Sequence, residues 1–172
     1  MTDVTKIVKQ ISAFYEQFTE PVIDLPLTLQ AMELGFRARD YVAAAAILER
    51  GGPFHWLPIL QLTGQAVELS LKACLASALV APPVGHDLVD LLRQAQTHGF
   101  DVDSPMCAAI VHLQHFYFRD LATGTKYKTR YPAKRTERLG GAVPSNSTFT
   151  AIVEALLDQA TKRGAAQASR MA

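Results

Sequence analysis

The sequence has few cysteines, lacks a long uninterrupted apolar run and carries almost no net charge. Its two cysteines, Cys74 and Cys107, lie inside apolar helical patterns and not in a C-x-x-C arrangement. Neither a redox pair nor a zinc site is therefore predicted, and both residues are interpreted as small core residues. The 17 Lys and Arg residues against 16 Asp and Glu create no global field that attracts nucleic acid. Any nucleic-acid function must depend on where the charges lie.

Two further absences concern the compartment. The apolar stretches are interrupted by Gln, Glu and Lys, so no membrane span is predicted. The N-terminal MTDVTKIVKQ lacks the apolar centre of a signal peptide. We therefore expect a cytoplasmic protein that uses no membrane partner, no metal and no cofactor.

Apolar residues recur at helical spacing through most of the chain, and no convincing strand pattern or repeat is present. The pattern predicts helices over residues 4–18, 28–50, 56–80, from Asp87, over 104–121 and from Ser147. The first has an apolar stripe of Val4, Ile7, Val8, Ile11, Phe14, Tyr15 and Phe18. We predict an all-α fold, an up-and-down bundle of about five to six helices.

The length of 172 residues is that of a single domain, 1–172. Within it we expect an N-terminal helix and connector over 1–25 and the bundle over 28–160. A basic loop over 122–146 interrupts the bundle, and the tail over 164–172 is expected to be frayed.

The helix predicted over 56–80 is apolar nearly all round, apart from one polar stripe. Glu68 lies four residues before Lys72, which favours an ion pair on that stripe. His86 stands beside Asp87, the expected cap of the next helix. We expect His86 to pack against Glu68 and Lys72 and to join the two helices, although a catalytic carboxylate and amine is an alternative.

Three motifs in order carry a family resemblance: AVELSLKACL, GHDLVDLL and KYKTRYP. Their matching residues are Ala66, Glu68, Leu71, Lys72, Ala73 and Leu75, then Gly85 to Leu88, then Arg130, Tyr131 and Pro132. Over about residues 28–160 the chain resembles the HEPN family, the higher eukaryotes and prokaryotes nucleotide-binding domains. The resemblance implies a helical bundle, a homodimer, and a role around nucleotides or RNA in bacterial toxin–antitoxin, defence or stress systems.

The resemblance also implies how a catalytic member would act, namely as a metal-independent ribonuclease with an Arg and a His four to six residues apart. Arg130 is followed at that spacing by Lys134, Arg135 and Thr136. Arg50 and His55 have the spacing, but they flank the turn Gly51-Gly52-Pro53. The sequence therefore favours a protein that is not an enzyme.

A second set of candidate catalytic residues lies on the helix predicted over 104–121. His112, His115 and Arg119 fall at i, i+3 and i+7, on one face. They offer a base, an acid and a charge stabiliser for phosphodiester cleavage. A metal site would need a third ligand from His86 or Asp87, and the remaining alternative is a polar face with hydrogen-bonded rings.

The segment 126–138 is rich in cations and contains two tyrosines. Lys126, Lys128, Arg130 and Tyr131 are predicted to bind a ligand, because cations attract phosphate and tyrosine rings stack on unpaired bases. The alternative is a solvated charged loop.

The favoured function is a non-catalytic binding module for RNA, a nucleotide or a protein partner from a neighbouring gene. A structural or regulatory subunit that docks a partner helix is the alternative, and a metal-independent ribonuclease is the second.

Overall fold

The computed structural model describes residues 25–51, 56–117 and 145–171. It contains helices α1 (Leu27–Arg50), α2 (Trp56–Ser77), α3 (Leu88–Thr97), α4 (Ser104–Tyr117) and α5 (Asn146–Met171). No strand occurs among these residues, and the predicted all-α fold is confirmed. The N-terminal helix predicted over 4–18 lies outside the described residues, as do residues 122–144 of the loop predicted over 122–146. Residue 146, the last of that predicted loop, is the first of α5.

Helix α2 is the central element, since it contacts each of the other four described helices. Apart from the polar stripe that contains Glu68 and Lys72, its middle is apolar, with Ala66, Val67, Leu71 and Leu75 all buried. A helix that is apolar nearly all round is stable only when neighbours cover most of its surface. The sequence of α2 thus dictates its place in the middle of the bundle.

Side-chain contacts along α5 fix the directions of α1 and α2. Thr63 near the start of α2 bonds to Asn146 at the start of α5, and Cys74 near the end of α2 bonds to Leu156 further along α5. The two helices therefore run in the same direction. Gly35 of α1 lies against Leu157 of α5, whereas Arg39, later in α1, pairs with Glu154, earlier in α5. These two helices are therefore antiparallel.

Helix α4 runs against α2 and α5. The loop before α4 lies beside the later part of α5, where Asp101 bonds to Gln159. The end of α4 lies beside the early part of α2, where the Tyr117 ring rests against Gly64. The four long helices therefore alternate in direction in the order α1, α2, α4, α5, as in an up-and-down bundle.

The end of α2 differs from the sequence prediction, and α3 has a similar closing turn. Helix α2 ends at Ser77 and not at residue 80, because Leu79 adopts a left-handed conformation with φ 62°. The amide of Val80 bonds back to the carbonyl of Leu75 at 3.0 Å, which closes the last turn. Helix α3 ends in the same way at Gly99, where φ is 81° and the residue has no Cβ to strain.

Helix α5 continues to Met171, through most of the tail over 164–172 that the sequence predicts to be frayed. The last turns contain Ala165, Ala166 and Ala168, which have the highest helix propensity. Ser169 Oγ also donates to the carbonyl of Ala165 at 3.0 Å. The helix propensity of these alanines and the Ser169 hydrogen bond both favour a helical end of α5.

Candidate functional site

A buried carboxylate lies at the centre of the candidate site. Glu68 is on α2 and only 2% exposed. The structure brings it together with the other two residues of the predicted helix-pair site. Lys72 Nζ donates to Glu68 Oε1 at 2.7 Å, one turn further along α2. His86 Nδ1 lies 3.0 Å from both carboxylate oxygens.

Tyr117 completes the site, and sequence reasoning did not identify it. Its hydroxyl donates to Glu68 Oε2 at 2.5 Å and accepts from Gln65 Nε2 at 2.6 Å. Tyr117 is the last residue of α4 and is 2% exposed. The carboxylate therefore joins α2, the segment before α3 and the end of α4. We call Glu68, Lys72, His86, Tyr117 and Gln65 the Glu68 cluster.

A glycine on α2 allows the tyrosine to reach the carboxylate. Gly64 lies one turn before Glu68, and a Cβ placed on it would overlap the Tyr117 ring atoms Cγ and Cδ2. Any other residue at position 64 would push the ring away from Glu68. A glycine inside an apolar helix was the one sequence signal for this close approach.

Two polar groups position His86 by fixing the start of α3. Asp87 is the predicted N-cap, and its carboxylate accepts from the amides of Val89 and Asp90, both at 3.1 Å. Gln114 on α4 is fully buried, and its Oε1 accepts from the amide of Leu88 at 2.9 Å. The Gly-His-Asp-Leu turn is thus held by its own cap and by a neighbouring helix.

Exposure within the cluster rises from the carboxylate to the cations. The Glu68 side chain is 3% exposed, that of Lys72 is 12% and that of His86 is 39%. The carboxylate therefore lies deepest, and the two basic groups extend towards the solvent edge. Because both oxygens of Glu68 already accept hydrogen bonds from neighbouring side chains, the carboxylate has no free side to offer a substrate. Its chemical role in this arrangement is to hold three segments together.

The predicted catalytic histidine face is only partly described. His112 lies on α4 with its ring 5.5 Å from that of Phe116. Its Nε2 is buried and has no hydrogen-bond partner among the described residues. Position 115 is within α4, although the structure does not describe the His115 side chain, and Arg119 lies outside the described residues.

The other predicted site residues are not brought together by the described part of the chain. Arg50 is exposed at the last position of α1, whereas His55 lies outside the described residues. The same holds for the four predicted ligand-binding residues, Lys126, Lys128, Arg130 and Tyr131. These remain predictions from the sequence.

Neither cysteine has the surroundings of a nucleophile. Cys74 is fully buried, and burial raises the pKa of its thiol from 9.0 to about 12, against the opposing charge of Arg163. Cys107 is half-buried, with its Sγ 3.4 Å from the carbonyl of Val102. A nucleophilic cysteine needs a lowered pKa, and Cys74 has the opposite.

The described ranges contain neither a candidate metal site nor a candidate membrane span. No group of three or more His, Cys, Asp or Glu side chains there could hold a metal ion. None of the helices in those ranges combines the length and the hydropathy needed to cross a bilayer.

The Glu68 cluster unites residues of the two motifs AVELSLKACL and GHDLVDLL around one carboxylate. The family model of the HEPN domain matches residues 31–162 of the chain. No curated protein and no solved structure matches the chain. The matched region includes the last 20 residues of α1 and all of α2, α3 and α4. The chain therefore belongs to the HEPN domain family.

Proposed function

We propose that this HEPN domain binds single-stranded RNA without cutting it. The observation that carries the proposal is the state of Glu68, the polar residue of the family's helix motif. It is bonded to Lys72, His86 and Tyr117 and is closed to a substrate. A motif used in this way supports the architecture of a binding module and not a general base.

The position of Tyr117 connects the cluster to the predicted ligand-binding residues. Tyr117 is the last residue of α4, and the segment that holds Lys126, Lys128, Arg130 and Tyr131 begins a few residues later. The hydrogen bond from the Tyr117 hydroxyl to Glu68 holds the end of α4 in place, nine residues before Lys126. Cations on such a segment would contact phosphates, and the tyrosine ring would stack on a base.

The protein's charge distribution supports this location. The chain as a whole is close to neutral, with a formal net charge of +1. Against this background, residues 126–138 contain six Lys or Arg residues and a single acidic residue, Glu137. An electrostatic attraction for RNA would therefore be local to this segment.

A gel-shift assay with labelled single-stranded RNA in the presence of EDTA tests the proposal. We expect a shifted band of intact RNA. The triple variant Lys126→Ala/Lys128→Ala/Arg130→Ala should weaken binding and flatten its dependence on salt. If all three cations contact phosphates, the slope of log K against log salt should fall by about 2, at about 0.7 per contact.

A matched control removes three cations from the described helices. Arg37, Arg93 and Lys162 are exposed on α1, α3 and α5. Their triple alanine variant changes the net charge by the same amount and should keep the wild-type affinity and slope. Equal losses in both variants would indicate non-specific attraction. RNA fragments that disappear in His115→Ala or His55→Ala would instead support the ribonuclease alternative.

We also propose, on the family's behaviour, a cytoplasmic homodimer that works in a bacterial toxin–antitoxin, defence or stress system. Sedimentation of the purified protein tests the oligomeric state. A stoichiometric protein that co-purifies, with no RNA bound, would favour a regulatory subunit.

A further inference from the structure

Helix α1 carries an apolar surface on the side that faces away from the bundle. Four large side chains form it, each about half exposed or more: Leu29 48%, Met32 57%, Phe36 61% and Ile47 61%. Residues 29, 32 and 36 follow the helical repeat, and residue 47 lies five full turns after residue 29. We call these four residues the α1 stripe. Exposed apolar rows of this length mark contact surfaces.

The opposite side of α1 already has its partners. Gly35, Ala38, Val42 and Ala45 are buried, and the helix packs there on α2 and α5. These small residues permit close packing and complete the bundle without the α1 stripe. The stripe must therefore serve a contact beyond the five described helices.

The chain itself supplies a segment of matching chemistry and length. Residues 1–24 directly precede the described part of the chain. Their apolar residues, from Val4 to Phe18, recur on one side of a predicted helix. At 1.5 Å per residue this row is about 21 Å long, against about 27 Å from Leu29 to Ile47.

The connector sets the register of such a contact. Residues 19–26 contain two prolines, Pro21 and Pro26, and a short connection of this kind favours antiparallel neighbours. An antiparallel hairpin places Phe18 beside Leu29 and Ile11 beside Phe36.

We propose that residues 4–18 form a helix that packs antiparallel on the α1 stripe. A tethered segment has a high effective concentration at its neighbour, so it occupies the stripe in preference to a second copy of the chain. This contact extends the bundle by one helix in front of the region that the family model matches. It is independent of RNA binding.

Disulfide trapping in the full-length protein tests the contact. All variants carry Cys107→Ser, so that only the buried Cys74 remains among the native thiols. The pair Ile11→Cys/Phe36→Cys places two thiols opposite each other in the proposed register. We expect a disulfide within one chain, seen as a monomer of altered mobility without reductant and as a linked peptide by mass spectrometry.

The matched control pair is Lys9→Cys/Phe36→Cys, in which Lys9 lies on the other side of the predicted N-terminal helix. Because a disulfide requires Cβ atoms about 4 Å apart, this pair should form the bond at least about tenfold more slowly. A second pair, Tyr15→Cys/Met32→Cys, lies in the same register and replaces the first if that variant does not fold.

The result shows whether the α1 stripe is covered by residues 4–18 of the same chain or by a second copy of the protein. Fast bonds within one chain in the paired variants and slow bonds in the control support the proposal. A disulfide-linked dimer would assign the stripe to a second copy and overturn it. Absence of any bond in folded protein of both pairs would also overturn it.

Discussion

Replacing the buried carboxylate by an amide should destabilise the bundle strongly. In Glu68→Gln the shape is kept, but one oxygen becomes an NH₂ group that faces donors and accepts nothing. Lys72 Nζ, at 2.7 Å from Oε1, then loses its charged partner while only 12% of its side chain is exposed. Breaking a buried pair by removing one partner costs about 3–5 kcal/mol, and the partial access of Lys72 to water places our expectation near 3 kcal/mol.

Glu154→Gln is the matched control, because it makes the same chemical change on an exposed ion pair. Arg39 and Glu154 join α1 to α5 with N–O distances of 3.0–3.1 Å, but their side chains are 45% and 49% exposed. Exposed pairs contribute about 0–1 kcal/mol. Urea unfolding followed by circular dichroism gives both free energies, and the slope m should stay at the wild-type value.

If Glu68→Gln lowers the free energy of unfolding no more than Glu154→Gln does, burial does not strengthen the Glu68 contacts. A further variant tests the assigned cause. Adding Lys72→Met to Glu68→Gln removes the unpaired ammonium, so it should recover part of the lost stability. A double variant less stable than Glu68→Gln would show that the unpaired cation is not the source of the loss.

Three further changes probe other features by unfolding measurements. Leu79→Gly should raise the free energy of unfolding by about 1 kcal/mol, since φ at this position is 62° and glycine adopts it without strain; an unchanged urea midpoint would contradict this. Gly64→Ala should lower it by about 1–3 kcal/mol, because the new methyl group overlaps the Tyr117 ring. Burial raises the pKa of the Cys74 thiol from 9.0 to about 12, so its contribution to stability is complete below pH 9 and declines as the pH rises towards 12. This contribution, at most about 1.4 kcal/mol per pH unit, is lost in Cys74→Ala, so the stability of that variant should decline less steeply with pH than that of the wild type when both are unfolded at several pH values in that range.

Most of the described fold could be predicted because it depends on local patterns. The apolar periodicity located α1, α2, α4 and α5, and Asp87 marked the start of α3. The ends of the helices are harder to predict, because several neighbouring residues can each serve as the cap. Helix α4 begins at Ser104, and the residue before it, Asp103, caps it with its Oδ1, which accepts from the amide of Met106 at 2.8 Å.

The parts of the Glu68 cluster that were predicted are those close in sequence. Glu68 and Lys72 are four residues apart on one helix, so their contact follows from helical geometry. Tyr117 is 49 residues from Glu68, and no local rule relates them. Gln114 was likewise missed, although a glutamine on an otherwise apolar helix face indicates a buried hydrogen bond.

The cluster gives the polar residues of the two motifs a structural role. Glu68, Lys72 and His86 come from the two motifs, and their polar atoms bond to each other and to Tyr117. A carboxylate so deep in the bundle is costly to bury alone, so its partners must be kept together with it. The same residues that hold the helices thereby fix the end of α4, from which the basic segment continues. If the basic segment binds RNA as proposed, the stability of the bundle and the start of that segment depend on one set of contacts.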